Sequence, residues 1–246
     1  CNYDAVKESG KLGEVVYFMR AGGTGSQKYC TLLWAGDQSV DFSRHDGLCT
    51  VICAALSAGM TGCGLNHCDI GGYTWLFDNC RTKEVFLRWA VMASFMPVMR
   101  THEGNRPDTN FQYYEDEDCM TQLARLVDVY TMLAPYTKTL VAENAAKGTP
   151  VQRPLFLHYE DDAESYTQQF EYLYGSDLLV APVWQGGKTE WNVYLPSDGW
   201  VHLWTGKEYG HGNNVVLAPL GDTPVFYKKG STWSELFESI RAKYGK

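Results

Sequence analysis

Phe18–Tyr73 reads FMRAGGTGSQKYCTLLWAGDQSVDFSRHDGLCTVICAALSAGMTGCGLNHCDIGGY, and the fold is decided by where its apolar runs stop. Val15-Val16-Tyr17-Phe18-Met19 ends at Arg20, and Thr31–Ala35 ends, one glycine later, at Asp37. A third polar cluster, Asn66-His67-Cys68-Asp69, follows one helix-length downstream. In parallel α/β proteins the chemistry collects where strands run into their loops at the carboxyl edge of the sheet. A guanidinium, an indole (Trp34) and a carboxylate brought to one rim suit recognition and cleavage of a sugar acetal.

Working outward, Glu14–Met19 and Thr31–Ala35 read as buried strands, the first followed by the glycine-rich loop AGGTGS. Ser43, three residues before Asp46, is expected to cap a helix running to about Gly59. A third strand is expected over Gly62–His67. Val85, Trp89, Met92 and Met96 share a helical stripe that stops near Pro97. Arg100–Glu115 reads as irregular, and two helices are expected over about 118–134 and 135–146, with Gly148 as the stop. Val151–Leu157 is the fourth expected strand, and Ala163–Tyr174 reads as a helix closed by Gly175.

Strand–helix alternation predicts a parallel βα sheet up to this point. From residue 178 onward LLVAPVW, TEWNVYL, GWVHLW, NVVLAP and TPVFY are short runs divided by Gly, Asp, Asn and Pro turns. Trp191, Val193 and Leu195 alternate with polar or amphipathic neighbours, as one buried strand face requires. The expectation is an α/β region over 1–177 and a small antiparallel, β-sandwich-like domain over 178–246 with a terminal helix.

Bulk composition narrows the function classes. The chain has 246 residues, 45% hydrophobic and 20% charged, which is globular composition. Its net charge is −8 and no Lys/Arg run exceeds two residues, so a clustered basic face for nucleic acid is missing. No apolar run reaches the length of a membrane span. All eight cysteines lie in the first half without a CxxC pair, which favours free thiols, a reducing compartment and a cytoplasmic location. Cys63, His67 and Cys68 lack four-ligand zinc spacing, and the acidic stretches Tyr113–Asp118 and Glu160–Asp162 fit no calcium loop and read as solvated loops and helix N-termini. No metal or organic cofactor is expected. The chain opens CNYDAV, without an initiator Met or a signal-peptide pattern, and so reads as a piece of a longer polypeptide.

Three motifs, WAGD (34–37), HCDIGGYT (67–74) and MRTHEGNRP (99–107), resemble the C-terminal half of family 31 glycoside hydrolases. Within that family, GSQKYxTxxWAGDQ and DIGGYT are most similar to the sulfoquinovosidases. The resemblance covers nearly the whole chain. It implies a retaining α-glycosidase acting on a small-molecule glycoside, with strands five to eight of a (β/α)8 TIM barrel present. Four βα units cannot close such a barrel, so the N-terminal half of the same polypeptide is an expected partner.

The resemblance implies that Asp37 is the general acid/base. It implies that Arg20, Trp34, Tyr73 and His102 line the sugar site, with Asp69 and Gln38 in support. Read from position alone, Asp37 would as readily fix a loop, Trp34 fill a rim and His102 sit solvated. The family nucleophile is an Asp on the fourth strand, upstream of Cys1, and no residue here takes its place; the chain by itself is expected to be inactive. Asp69 is expected to orient Arg20 or a sugar hydroxyl, His67 receives no role, and Arg153 reads as structural. Tyr73 stands where many related α-glucosidases have Phe, and in the sulfoquinovosidases its hydroxyl helps hold the sulfonate through water. Two alternatives stay open: a family 31 α-glucosidase or α-xylosidase, and a non-catalytic carbohydrate-binding remnant.

Overall fold

Three of the four expected parallel strands form, in shorter pieces than the apolar runs suggest. A computed structural model describes residues 1–76 and 78–246. After a short helix α1 (Asn2–Glu8), β1 (Phe18–Met19) lies parallel to β2 (Leu32–Trp34), pairing Phe18 with Leu32. Helix α2 (Leu48–Met60) follows, and β3 (Asn66–His67) is parallel to β2, with Trp34 opposite His67.

Helix α2 starts later than expected. Its N-cap is Gly47, without a side-chain cap. Ser43 instead closes a tight turn: its N–H donates to Asp41 Oδ1 at 2.8 Å and its carbonyl accepts from Gly47 N at 3.0 Å. Residues that satisfy each other in a turn are not free to open a helix.

The fourth parallel strand is also not the expected one. β4 (Asp69–Ile70) pairs in parallel with β5 (Arg100–Thr101), in register Asp69↔Arg100, so the stretch expected to be irregular opens with a strand. Between them runs α3 (Lys83–Ala93), capped by Thr82, whose hydroxyl accepts from Val85 N at 3.2 Å. Helices α4 (Glu117–Met132) and α5 (Ala134–Lys147) follow, the latter closed by Gly148. Asp116 caps α4, accepting from Cys119 N at 2.7 Å, which is the helix-N-terminus use expected of that acidic stretch.

Val151–Leu157 contributes only β6 (Gln152–Arg153), antiparallel to β7 (Tyr172–Tyr174), and then a 3-10 turn at Leu155–Leu157. Ala163–Tyr174 is not a helix: a single 3-10 turn, Ala163–Tyr166, precedes the β7 strand. β7 pairs with β8 (Leu178–Val180), and the sheet continues through β13 (Val225–Lys228), β10 (Trp200–His202) and β11 (Glu208–Tyr209), all antiparallel. It therefore begins at Gln152, and the expected boundary at 177/178 falls between two hydrogen-bonded neighbours of one sheet. β9 (Glu190–Leu195) and β12 (Gly212–Leu217) form a separate antiparallel ribbon, and α6 (Ser234–Tyr244) ends the chain's regular structure.

Helix α3 joins the two parts. The expected stripe Val85, Trp89, Met92 and Met96 is buried, but so is the rest of the helix from Val85 to Ala93, which shares one hydrophobic cluster with α4 and with strands β7, β8, β10 and β13. Arg88 crosses that joint, donating to the carbonyls of Ala218 at 2.9 Å, Pro219 at 3.2 Å and Lys188. Arg153, also buried, donates to the Pro150 carbonyl at 2.7 Å and pairs with Glu143, the structural use expected of it. Among the described residues no helix is long and apolar enough to cross a membrane.

Candidate active site

The ends of β1, β2 and β5 and the loop after β4 bring the candidate residues together. Arg20, one residue past β1, places Nη2 3.1 Å from Asp37 Oδ2, past the end of β2. Its guanidinium also lies 5.5 Å from the Trp34 ring centroid, within cation–π range. Asp37 is three-quarters buried while Arg20 is largely exposed, so the carboxylate is the fixed partner.

Asp37 and Gln38 are stitched to the loop after β4. Thr74 Oγ1 donates to the Asp37 carbonyl at 2.8 Å, and the Tyr73 and Thr74 amides donate to the Gln38 carbonyl at 2.9 and 2.8 Å. Gln38 is itself buried, its side-chain amide donating to Ala35 O at 2.7 Å. Gly72 makes this approach possible: its φ is +74°, and a Cβ there would stand 2.8 Å from Ser39 O.

Tyr73 meets His102 edge to face, with ring centroids 4.7 Å apart. His102 Nδ1 accepts from Gly104 N at 3.2 Å, which leaves Nε2 as the protonated nitrogen of the neutral ring. Arg20, Asp37, Tyr73 and His102 thus form one continuous set of contacts, running through the Gln38–Tyr73 backbone pairing.

Of the two uses expected of Asp69, the one toward Arg20 is not seen. Asp69 pairs with Arg100, its register partner across β4 and β5. It is fully buried, and desolvation pushes its pKa up from the ordinary carboxylate value against the pull of Arg100. The Arg100 guanidinium lies over both Phe18 and Trp34, at 5.4 and 5.3 Å. Sequence reasoning gave Arg100 no role, yet its signal was present: Phe95–Met99 is an apolar run ending in Arg, as Val15–Met19 is before Arg20.

His67, which received no role, is buried with neither ring nitrogen hydrogen-bonded among the described residues. Burial and the nearby Arg100 charge lower its pKa to about 4, so it stays neutral. Arg20, Trp34 and His67 border a cavity of about 250 Å3. A wider groove of about 630 Å3, between Phe170, Trp184 and Trp191, lies apart and holds none of these residues. Among the described residues no group of three or more His, Cys, Asp and Glu is arranged for a metal ion. The Cys68 thiol instead accepts from Trp89 Nε1 at 3.0 Å.

Chemically, the rim offers a carboxylate with a cationic neighbour, an indole, a phenol hydroxyl and an imidazole N–H. Such a set can hydrogen-bond a polyol and exchange a proton with an ether oxygen.

Comparison with known proteins agrees with this geometry. Residues 1–140 match the glycosyl hydrolases family 31 TIM-barrel domain, and residues 148–232 match the glycosyl hydrolase family 31 C-terminal domain. The chain is similar to the sulfoquinovosidases of Escherichia coli strain K12 and Agrobacterium fabrum, 56% and 55% identical over 98% of this chain, and it spans 36% of the length of each. It superposes with a TM-score of 0.98 and 74% identity on a family 31 sulfoquinovosidase from E. rectale, solved in complex with the aza-sugar inhibitor IFGSQ, covering 100% of this chain and 37% of that one. A family 31 α-xylosidase from a soil metagenome, complexed with xylose, is 27% identical with a TM-score of 0.83, over 96% of this chain and 37% of that one. Matched over both its parallel and its antiparallel part, the chain belongs to glycoside hydrolase family 31.

Proposed function

We propose that the chain is the acid/base-bearing part of a retaining α-glycosidase that hydrolyses α-sulfoquinovosides. The parallel strands would be the C-terminal half of a (β/α)8 barrel, completed by a preceding half of the same polypeptide. The observation that carries the hydrolase reading is the Asp37 carboxylate held 3.1 Å from Arg20, on the rim shared with Tyr73 and His102.

Asp37 would protonate the glycosidic oxygen as the bond breaks and then take a proton from the incoming water. Arg20, Trp34 and His102 would hold the sugar, with Gln38 and Asp69 fixing the loops that carry them. Tyr73 would help bind the sulfonate, and the anionic substrate class is further supported by the likeness to sulfoquinovosidases. The second carboxylate, about 5 Å away in a retaining geometry, would come from the completing half. The free thiols fit a cytoplasmic location.

Steady-state hydrolysis of aryl α-sulfoquinovoside and aryl α-glucoside by the full-length protein tests this. Preference for the sulfonated sugar is expected. Preference for the glucoside would move the reading to an α-glucosidase, and no turnover of either would favour a binding remnant. The 246-residue chain alone is expected to turn over neither.

A further inference from the structure

The loops that carry Tyr73 and His102 come from different strands, yet their rings meet at a defined angle, so something must set their relative position. Arg81, between β4 and α3, sits beneath both loops. It is 1% exposed, and its side chain donates to the carbonyls of His102 at 2.7 Å, Phe111 at 2.9 Å and Glu103 at 3.2 Å, to Gln112 Oε1 at 2.9 Å, and more weakly to the Gly72 carbonyl at 3.5 Å. Its backbone N–H donates to Asn110 Oδ1 at 3.1 Å.

No carboxylate lies within ion-pair distance of it among the described residues. A buried guanidinium solvated only by carbonyls and one amide is costly to keep. Gly71 makes room for it, since a Cβ there would come within 2.5 Å of Arg81 Cδ. Gln112 extends the knot, donating to the carbonyls of Glu103 at 3.0 Å and Pro107 at 3.1 Å. On the outer side Asn105 closes the same seam, its N–H donating to Tyr73 O at 3.0 Å and its side chain exchanging hydrogen bonds with the Trp75 backbone.

We propose that Arg81 is a positioning residue for the sugar site, locking the DIGGYT and THEGNRP loops in one register so that Tyr73 and His102 converge on the bound sugar. The planar, multiply donating guanidinium suits five acceptors spread over two loops, and a lysine ammonium does not. This inference rests on the sulfoquinovoside reading above.

The test uses the full-length enzyme and three variants: Arg81→Lys, Gln112→Met, and Arg88→Lys. Arg88 is an equally buried arginine that also donates to carbonyls, but at the ends of the β9–β12 ribbon, away from the site. KM and kcat for aryl α-sulfoquinovoside, the ratio of its kcat/KM to that of aryl α-glucoside, and the thermal midpoint are measured for each. Arg81→Lys is expected to raise KM for the sulfonated substrate roughly tenfold or more, because sub-ångström misplacement of binding groups is felt at this scale. The sulfonate preference should fall with it. Gln112→Met should move the same quantities less, and so decides the matter if Arg81→Lys does not fold. Arg88→Lys should lower the midpoint with KM and preference unchanged. Unchanged KM and preference in the Arg81 and Gln112 variants, with only active fraction or midpoint reduced, would overturn the positioning role. A wild-type enzyme without sulfonate preference would instead sink the reading on which it rests.

Discussion

The parallel strands and the antiparallel sheet bury their side chains to different extents. In β7, β8 and most of β13 the side chains are buried, with Leu178, Leu179, Val180, Val225 and Phe226 at 0% exposure. Around β1, Val16 is 69% and Phe18 43% exposed. Parallel strands in α/β folds are covered on both faces, whereas the sheet from Gln152 to Lys228 has its cover in α3, α6 and the β9–β12 ribbon. All the candidate catalytic and binding residues belong to the parallel part, where the exposure is at β1 while β3 and β4 are buried. Stability and chemistry are thus expected to respond to different substitutions.

The largest effect should come from the rim. In the full-length enzyme Asp37→Asn is expected to lower kcat on alkyl α-sulfoquinovosides by about 10²–10⁴-fold, with the thermal midpoint shifted by no more than about 2 °C. Activity retained within a few-fold would break the division between the two regions at its most important point.

The sheet should answer in the opposite way. Leu179→Ala removes a fully buried side chain from β8 and is expected to cost about 2–5 kcal/mol by denaturant unfolding, with KM unaltered. A loss under about 1 kcal/mol would mean that the sheet is not the stable part.

A subtler contrast concerns pH. Glu171, beside β7, is buried, and desolvation pushes its pKa up to about 8, although Tyr194 N donates to Oε2 at 3.2 Å. The native state therefore keeps a proton between the ordinary carboxylate value and about pH 8 that the unfolded chain has released. Its contribution is full at low pH and is lost as pH rises through that window, up to about 3 kcal/mol by pH 7. Glu171→Gln should leave the midpoint at pH 4.5 nearly unchanged and raise it at pH 8. Equal effects at both pH values would show that the carboxyl is ionised throughout.

The two regions were also unequally legible in the sequence. The hairpins after residue 178 declare themselves by alternation and turn residues, signals that are local. β7 does not: Tyr172-Leu173-Tyr174 is buried on every side and defined by distant partners in β6 and β8, so its text offers no period to separate strand from helix. β5 was hidden by Pro97, which draws attention as a helix stop while Arg100 finds Asp69 across the sheet. In the candidate site, Asp37, Tyr73 and His102 were singled out by the family motifs they stand in and Arg20 by ending an apolar run, and the structure brings the four to one rim. Arg81 stands in no such motif, and its importance lies wholly in five acceptors that only the fold assembles.

The unpaired cysteines give the molecule a built-in record of its own opening. Cys1 and Cys80 are exposed and Cys53 is partly so, while Cys30, Cys49, Cys63, Cys68 and Cys119 are buried. Burial drives the Cys68 thiol up to about 12 and Cys119 to about 11, so even a small alkylating reagent meets almost no thiolate there. Each added carbamidomethyl mass beyond the accessible sulfurs therefore marks a segment that has come apart, with Cys49 in α2, Cys68 between β3 and β4, and Cys119 in α4 reporting separately.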